Sequence, residues 1–194
     1  MNTVKSIMIV GVGGQGTLLA SRLLGNALLS QGFDVKVSEV HGMSQRGGSV
    51  VTYVRYGKEV HSPIIEIGEA DVILSFELLE AARYLPYLKE GGTMIINTQQ
   101  IDPMPVITGA AQYPQGIVQS LKDHDVNLTA LDAKALATEA GSVKAINVVL
   151  VGVLASSLGF PDDVWADTLA ATVPPKFLEL NRKAFALGQK QSLE

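Results

Sequence analysis

Two glycine-rich loops stand in the first quarter of the chain with one strand between them, and together they limit the fold more than any other feature. The first is Gly11-Val12-Gly13-Gly14-Gln15-Gly16, and the second is Ser38-Glu39-Val40-His41-Gly42-Met43-Ser44-Gln45-Arg46-Gly47-Gly48-Ser49. Alone, the first would be a common phosphate-loop pattern. The second lies where a dinucleotide-binding fold receives the ribose, which indicates a different use of that end of the sheet.

Glycine at 11, 13 and 16 permits a tight turn, close approach of a ligand to backbone N–H groups, and close packing of helix on strand. The helix amino end behind the loop carries partial positive charge. Two readings stand side by side. In one, Gly11, Gly13, Gly14, Gln15 and Gly16 cradle a phosphate or other anion; in the other, the glycines serve only the turn. Glu39 stands near the position of the ribose acid in an NAD-type fold. A dinucleotide there would have to displace the loop bearing His41, Gln45 and Arg46, which argues against NAD.

The aliphatic run Val4 to Val10 predicts a central parallel strand covered on both faces and enters glycine with no cleavage-site pattern. A helix follows from Gln15 to about Ser30, and Asp34 to Glu39 is a second strand, giving a strand-helix-strand unit. Ser49 to Tyr56 is rich in β-branched and aromatic residues and turns at Gly57-Lys58 into a short return strand through Val60, an inserted antiparallel hairpin. Asp71 to Ser75, Thr93 to Ile96 and Val126 to Leu131 predict further strands, with Leu78 to Leu88 a helix closed by Gly91-Gly92.

Pro103, Pro105 and Pro114 punctuate an irregular middle segment. Ala133 to Ala140, Val148 to Leu154, Asp162 to Ala171 and Pro175 to Gly188 then read as helices, with Asp162 suited to an N-terminal cap. The expected fold is α/β: a Rossmann-like, doubly wound, mostly parallel sheet with an inserted β-hairpin and C-terminal helices, residues 1–194 forming one domain.

Composition removes several function classes. Of the 194 residues 47% are hydrophobic, enough for a full core, and the net charge of -4 with no Lys/Arg cluster argues against nucleic acid. The chain has no cysteine, so it can make neither a disulfide nor a cysteine-ligated iron–sulfur cluster or thiolate zinc site, and no metal ligands are predicted. The apolar stretch Ala145 to Phe160 is interrupted by Asn147 and serines and is too short for a membrane span, so a buried helix and a cytoplasmic protein are expected. A mean hydropathy of +0.25 points to an obligate assembly that covers apolar surface.

These elements resemble a known family. The first loop, the segment Ser38 to Ser49, Ser62-Pro63-Ile64-Ile65 and Gly68-Glu69-Ala70-Asp71 are similar to the gamma-type subunits of 2-oxoacid:ferredoxin oxidoreductases, over essentially the whole chain. Glu39-Val40-His41-Gly42-Met43, Phe76-Glu77-Leu78-Leu79-Glu80-Ala81 and Asn97-Thr98 look most like the indolepyruvate branch, although family members often carry proline where Leu78 stands. The resemblance implies a cycle in which thiamine diphosphate attacks an arylpyruvate, carbon dioxide leaves, two electrons pass through iron–sulfur clusters to ferredoxin, and the acyl group goes to coenzyme A.

The same resemblance places thiamine diphosphate, magnesium and the clusters on a large partner, the alpha subunit, because this chain has neither a Gly-Asp-Gly motif nor cysteines. This chain would close the partner's active site and share coenzyme A. Arg46 would pair with a phosphate or the substrate carboxylate, and His41 would donate a proton near the carbanion. Against these stand the plainer readings that Arg46 pairs with a carboxylate of its own subunit and that His41 is structural. Gly42, Gly47 and Gly48 suit positive φ or a close contact, with Gly47 and Gly48 as candidate cofactor-binding residues. Symmetry predicts a dimer of heterodimers with a homodimer contact.

Of the remaining residues, Trp165 reads as core, Tyr53 and Tyr56 as hairpin surface or interface, and His61 and His124 belong to no constellation. Glu77 and Glu80 lie at the carboxyl end of a predicted strand, where open sheets keep their sites, or simply start a helix.

Overall fold

The computed structural model describes residues 4–41, 47–124 and 126–191. Its frame is a six-stranded sheet of β1 (Lys5–Val12), β2 (Asp34–His41), β3 (Ser49–Gly57), β4 (Ala70–Ser75), β5 (Leu88–Asn97) and β6 (Asn127–Leu131), in the spatial order β2-β3-β1-β4-β5-β6. β1, β4, β5 and β6 run parallel, while β3 is antiparallel to both β1 and β2. Every residue of β1 after Lys5 is buried, as its aliphatic run predicts.

The two faces of β1 feed two cores. Ile7 and Ile9 pack under α1 (Thr17–Ser30), α5 (Ala133–Ala140), α6 (Ile146–Leu158), α7 (Asp162–Thr172) and α8 (Leu178–Gln189). Met8 and Val10 pack on the opposite face with α2 (Leu78–Tyr84) and α4 (Ile117–Asp123). The helices that follow β1 and β4 therefore cover opposite faces. Their divergence leaves a crevice at the carboxyl ends of these two neighbouring strands, where open α/β sheets bind ligands.

α6 is apolar all round and buried from Asn147 to Ala155, the central helix expected of that stretch. It meets α8 at backbone contact: a Cβ on Gly188 would lie 2.0 Å from the Val149 carbonyl oxygen, and one on Gly152 2.2 Å from that of Phe185. Trp165 is core, stacked on Phe160 and tilted against Phe185. Among the described residues no helix is long and apolar enough to cross a membrane.

Several expectations are corrected. β2 does not lie beside β1, because β3 folds back between them, so the hairpin partner of β3 is β2. No return strand runs through Val60; its N–H is held instead by the Asp34 carboxylate. The helix after β4 ends at Tyr84 and tightens into a 3-10 turn over Leu85–Tyr87, since Pro86 cannot continue the hydrogen-bond ladder. Gly91 and Gly92 do not cap it. They lie inside β5, where the pairing with β4 shifts register and a Cβ at 92 would lie 2.9 Å from the Lys89 carbonyl oxygen.

The proline-punctuated segment holds a short α3 (Met104–Ile107) and leads into α4, which buries Ile117 and Leu121. Helix α1 starts at Thr17, two residues later than expected, with Gly16 at its N-cap. Pro161, not Asp162, occupies the N-cap of α7, and Asp162 accepts a hydrogen bond from Gln189 of α8. Tyr53 and Tyr56 are half-buried: Tyr56 packs edge-on against Phe33, and Tyr53 against the second core.

Candidate functional site

The first loop leaves β1 at Val12 and enters α1 at Thr17, at the divergence of the two helical layers. Its glycines answer to different neighbours. A Cβ on Gly11 would meet the Gln15 side-chain oxygen at 2.8 Å and Phe76 Cβ at 2.9 Å; one on Gly16, already at φ 85°, would meet Asn147 Nδ2 at 2.6 Å. Both positions are demanded by packing within the chain, through residues of β4's exit and of α6. At Gly14, with φ 97°, nothing stands within 4 Å of the corresponding point, so this part of the loop is open.

Gln15 turns back into the fold. Its side-chain oxygen accepts the Val12 N–H at 2.9 Å and its Nε2 donates to the Phe76 carbonyl at 2.9 Å. The same carbonyl accepts Asn97 Nδ2 at 3.0 Å, and the Asn97 side-chain oxygen receives the Ala133 N–H. This amide chain ties the exits of β1, β4 and β5 together. Gln15 serves as a fixed floor of the crevice.

The second loop meets the first. Gly13 N–H donates to the Gly48 carbonyl oxygen at 2.9 Å, and Gly47 N–H approaches the Gly13 carbonyl at 3.5 Å. Of the residues singled out in this loop, Gly47 and Gly48 are thus brought against the first loop. The backbone of His41 ends β2, opposite Val50. The His41 side chain, Gly42, Met43, Gln45 and Arg46 lie outside the described residues.

Glu39 is on β2, separated from β1 by the whole of β3, hence about 10 Å away. Its carboxylate faces Thr52 Oγ1 at 3.4 Å. The inserted strand therefore removes the acid from the place a dinucleotide ribose would need.

Beside the first loop opens a cleft of about 620 Å³, lined by Gly13, Gly14, Gln15 and Gly16 together with Gln99, Ile101, Lys144 and Asn147 among others. Lys144 sits in the turn before α6, exposed, and no ion pair is formed by it among the described residues. Sequence reasoning passed over it, because the turn Val143–Ala145 is more than 120 residues from the loop it faces. An open loop of backbone N–H groups, a helix amino end and the Lys144 ammonium in the lining of one cleft suit an anionic ligand.

Glu77 and Glu80 are both buried. Glu77 caps α2 by accepting the Glu80 N–H at 2.9 Å and also takes Tyr113 Oη at 2.6 Å and the Ile101 N–H at 3.1 Å. Burial, then this hydrogen bond to the carboxylate, pushes the Tyr113 hydroxyl far above its ordinary range. Glu80 binds Ser49 and Arg83. His61 is exposed near Glu59, and His124 bonds the Ser120 carbonyl of its own helix. Among the described residues no three His, Asp or Glu side chains gather as a metal site.

Residues 6–191 match the family described as pyruvate ferredoxin/flavodoxin oxidoreductase. The chain belongs to that family. It is a subunit of a 2-oxoacid:ferredoxin oxidoreductase. The indolepyruvate oxidoreductase subunit IorB of Thermococcus kodakarensis is 46% identical over 196 residues, covering 97% of this chain and 96% of the relative. The keto/oxoacid ferredoxin oxidoreductase gamma subunit of Geobacter sulfurreducens shares the fold, with a TM-score of 0.72, 24% identity, and coverage of 97% and 98% of the two chains. The 2-oxoglutarate:ferredoxin oxidoreductase of Magnetococcus marinus, solved with 2-oxoglutarate, coenzyme A and succinyl-CoA bound, matches all of this chain with 32% of its own length, at TM-score 0.73 and 18% identity.

Proposed function

We propose that this chain is the non-cofactor subunit of an arylpyruvate oxidoreductase of the indolepyruvate type, working in the cytoplasm with a large alpha subunit. That partner would carry thiamine diphosphate, magnesium and the iron–sulfur clusters that pass electrons to ferredoxin. The 46% identity to an indolepyruvate oxidoreductase subunit over nearly the whole of both chains supports the substrate class. Residues 1–194 act here as one gamma-type unit. The absence of cysteine means that any cysteine-ligated cluster must be held by the partner.

The observation that carries the reading is the joining of the two glycine loops at Gly13 and Gly48 beside the 620 Å³ cleft. The cleft fits part of coenzyme A: backbone N–H groups at Gly14 and the start of α1, with Lys144 in the same lining, suit its phosphates. Thiamine-based decarboxylation and electron transfer are the partner's chemistry. This chain's residues bind and orient: Arg46 pairs with a phosphate or the substrate carboxylate, and His41 holds a proton near the reacting carbon.

The test is to purify the tagged chain with its bound partner from an anaerobic extract and assay ferredoxin reduction. Coenzyme A-dependent turnover with indolepyruvate well above that with pyruvate or 2-oxoglutarate is expected, and Arg46→Ala should lower it about tenfold or more. Preference for a small oxoacid would refute the substrate class; unchanged turnover in Arg46→Ala would remove the second loop from the site.

A further inference from the structure

The junction between β4 and α2 grips both glycine loops. It holds the first through the Phe76 carbonyl, which accepts Gln15 Nε2, and the second through Glu80, whose Oε2 accepts Ser49 Oγ at 2.5 Å. Ser49 is the first residue of β3, directly after Gly48, and it pairs across the sheet with Val12, the last residue before the first loop. Tyr84 Oη lies 3.2 Å from the same Ser49 hydroxyl, and Arg83 Nε donates to the other Glu80 oxygen at 3.1 Å.

Helix formation does not explain Glu80. Glu77 already caps α2, and position 80 is 3% exposed, where an apolar side chain would avoid the cost of burying a carboxylate. Arg83, half exposed, offsets part of that cost from within the same helix. Among the described residues, the one hydrogen bond that the Glu80 carboxylate makes outside its own helix is with Ser49. A buried charge with a single non-local hydrogen bond fixes the position of what it binds.

We propose that Glu80 is a positioning residue for the second glycine loop, acting through the Ser49 hydroxyl to set where the segment ending in Gly47 and Gly48 meets the first loop. This rests on the reading above, that the second loop takes part in the site. Glu80 sets the seat of the loop, as Gln15 sets that of the first.

The experiment uses the assembled holoenzyme carrying Ser49→Ala, Glu80→Gln, Ser49→Thr or Arg46→Ala, with kcat and KM for coenzyme A measured at each, and the melting temperature of each complex recorded. Assayed well below the melting temperature of every variant, Ser49→Ala and Glu80→Gln should each lower kcat/KM about tenfold, because a small displacement of binding groups is enough for such a loss. Ser49→Thr, which keeps the hydroxyl, should restore most of it.

Values within about twofold of the parent for Ser49→Ala and Glu80→Gln, while Arg46→Ala is impaired, overturn the positioning role and leave the loop's function standing. Parent values in all three overturn both. Loss of activity that vanishes when the assay is run well below the variant's melting temperature, or that Ser49→Thr shows equally, assigns Glu80 to folding alone and also overturns the proposal.

Discussion

Gly13 and Gly48 are hydrogen-bonded through their backbones at 2.9 Å, although they stand 35 positions apart with α1 and β2 between them. The bond exists because β3 runs antiparallel alongside β1, which returns the chain to the same end of the sheet one strand away from where it left. The two loops thereby make one surface above the crevice between β1 and β4.

Gly16→Ala should destabilise the protein by about 3 kcal/mol, combining left-handed strain with the collision against Asn147 Nδ2. Gly14→Ala, strained but unobstructed, should cost only about 1 kcal/mol. Urea unfolding of the two variants measures the difference; equal losses would show that Asn147 gives way freely.

Lys144→Ala should raise KM for coenzyme A about fivefold and leave kcat nearly unchanged, the pattern of an interaction present in both ground and transition states. Steady-state kinetics of the holoenzyme at fixed oxoacid decide it. An unchanged KM would place the phosphates elsewhere.

Gly188→Ala or Gly152→Ala should cost about 4 kcal/mol or more, because each new methyl group meets a backbone carbonyl at 2.0 or 2.2 Å that no rotamer change can move. Helices α6 and α8 would have to separate. Thermal melting by circular dichroism should show the loss for either variant.

Tyr113→Phe removes the 2.6 Å hydrogen bond to a carboxylate that is 1% exposed, so a destabilisation of about 2 kcal/mol is expected. Replacing Glu77 by Gln in the same background should recover part of it, since a neutral amide tolerates the loss of a donor better. Chemical unfolding of the single and double variants gives the coupling directly.

Asp71 staples the amino ends of three strands. Burial pushes its carboxyl up, but hydrogen bonds from Lys89, the Ser6 N–H and Lys5 outweigh this and hold it below its ordinary value of 3.8. The unfolded chain therefore binds the proton more readily, and the stabilisation present above that ordinary value disappears as pH falls through the lower folded value. Asp71→Asn should flatten the acid limb of a stability-against-pH curve measured by urea unfolding; an unchanged limb would assign acid sensitivity to other groups.

Much of the frame was legible because its signals are local. The unbroken aliphatic run of β1, the β-branched stretch from Ser49 and the helical spacing of Leu23, Ala27 and Leu28 need no distant information. Strand order was not legible: Val35 and Val37 alternate equally well whether β2 lies against β1 or against β3, and only the three-dimensional pairing separates the cases. Gly91-Gly92 read as a helix stop because a bulge inside a strand uses the same residue type. In the crevice, the glycines announced themselves, whereas Asn147 and Lys144 did not. Neither carries a spacing relative to the loop it faces, and α6 delivers Asn147 to Gly16 only after the whole sheet is assembled.

β2 and β3 are in register up to His41 and Val50, and Ser49 is already paired with Val12, so the chain after His41 is back in the sheet at Ser49. Such a closure fixes the endpoints and leaves the length free. The strand pairings are made by residues outside positions 42 to 46, so a change confined to those positions alters none of the residues that pair. A lineage can thus vary those five positions by editing a few codons, while the residues that pair the strands are inherited untouched.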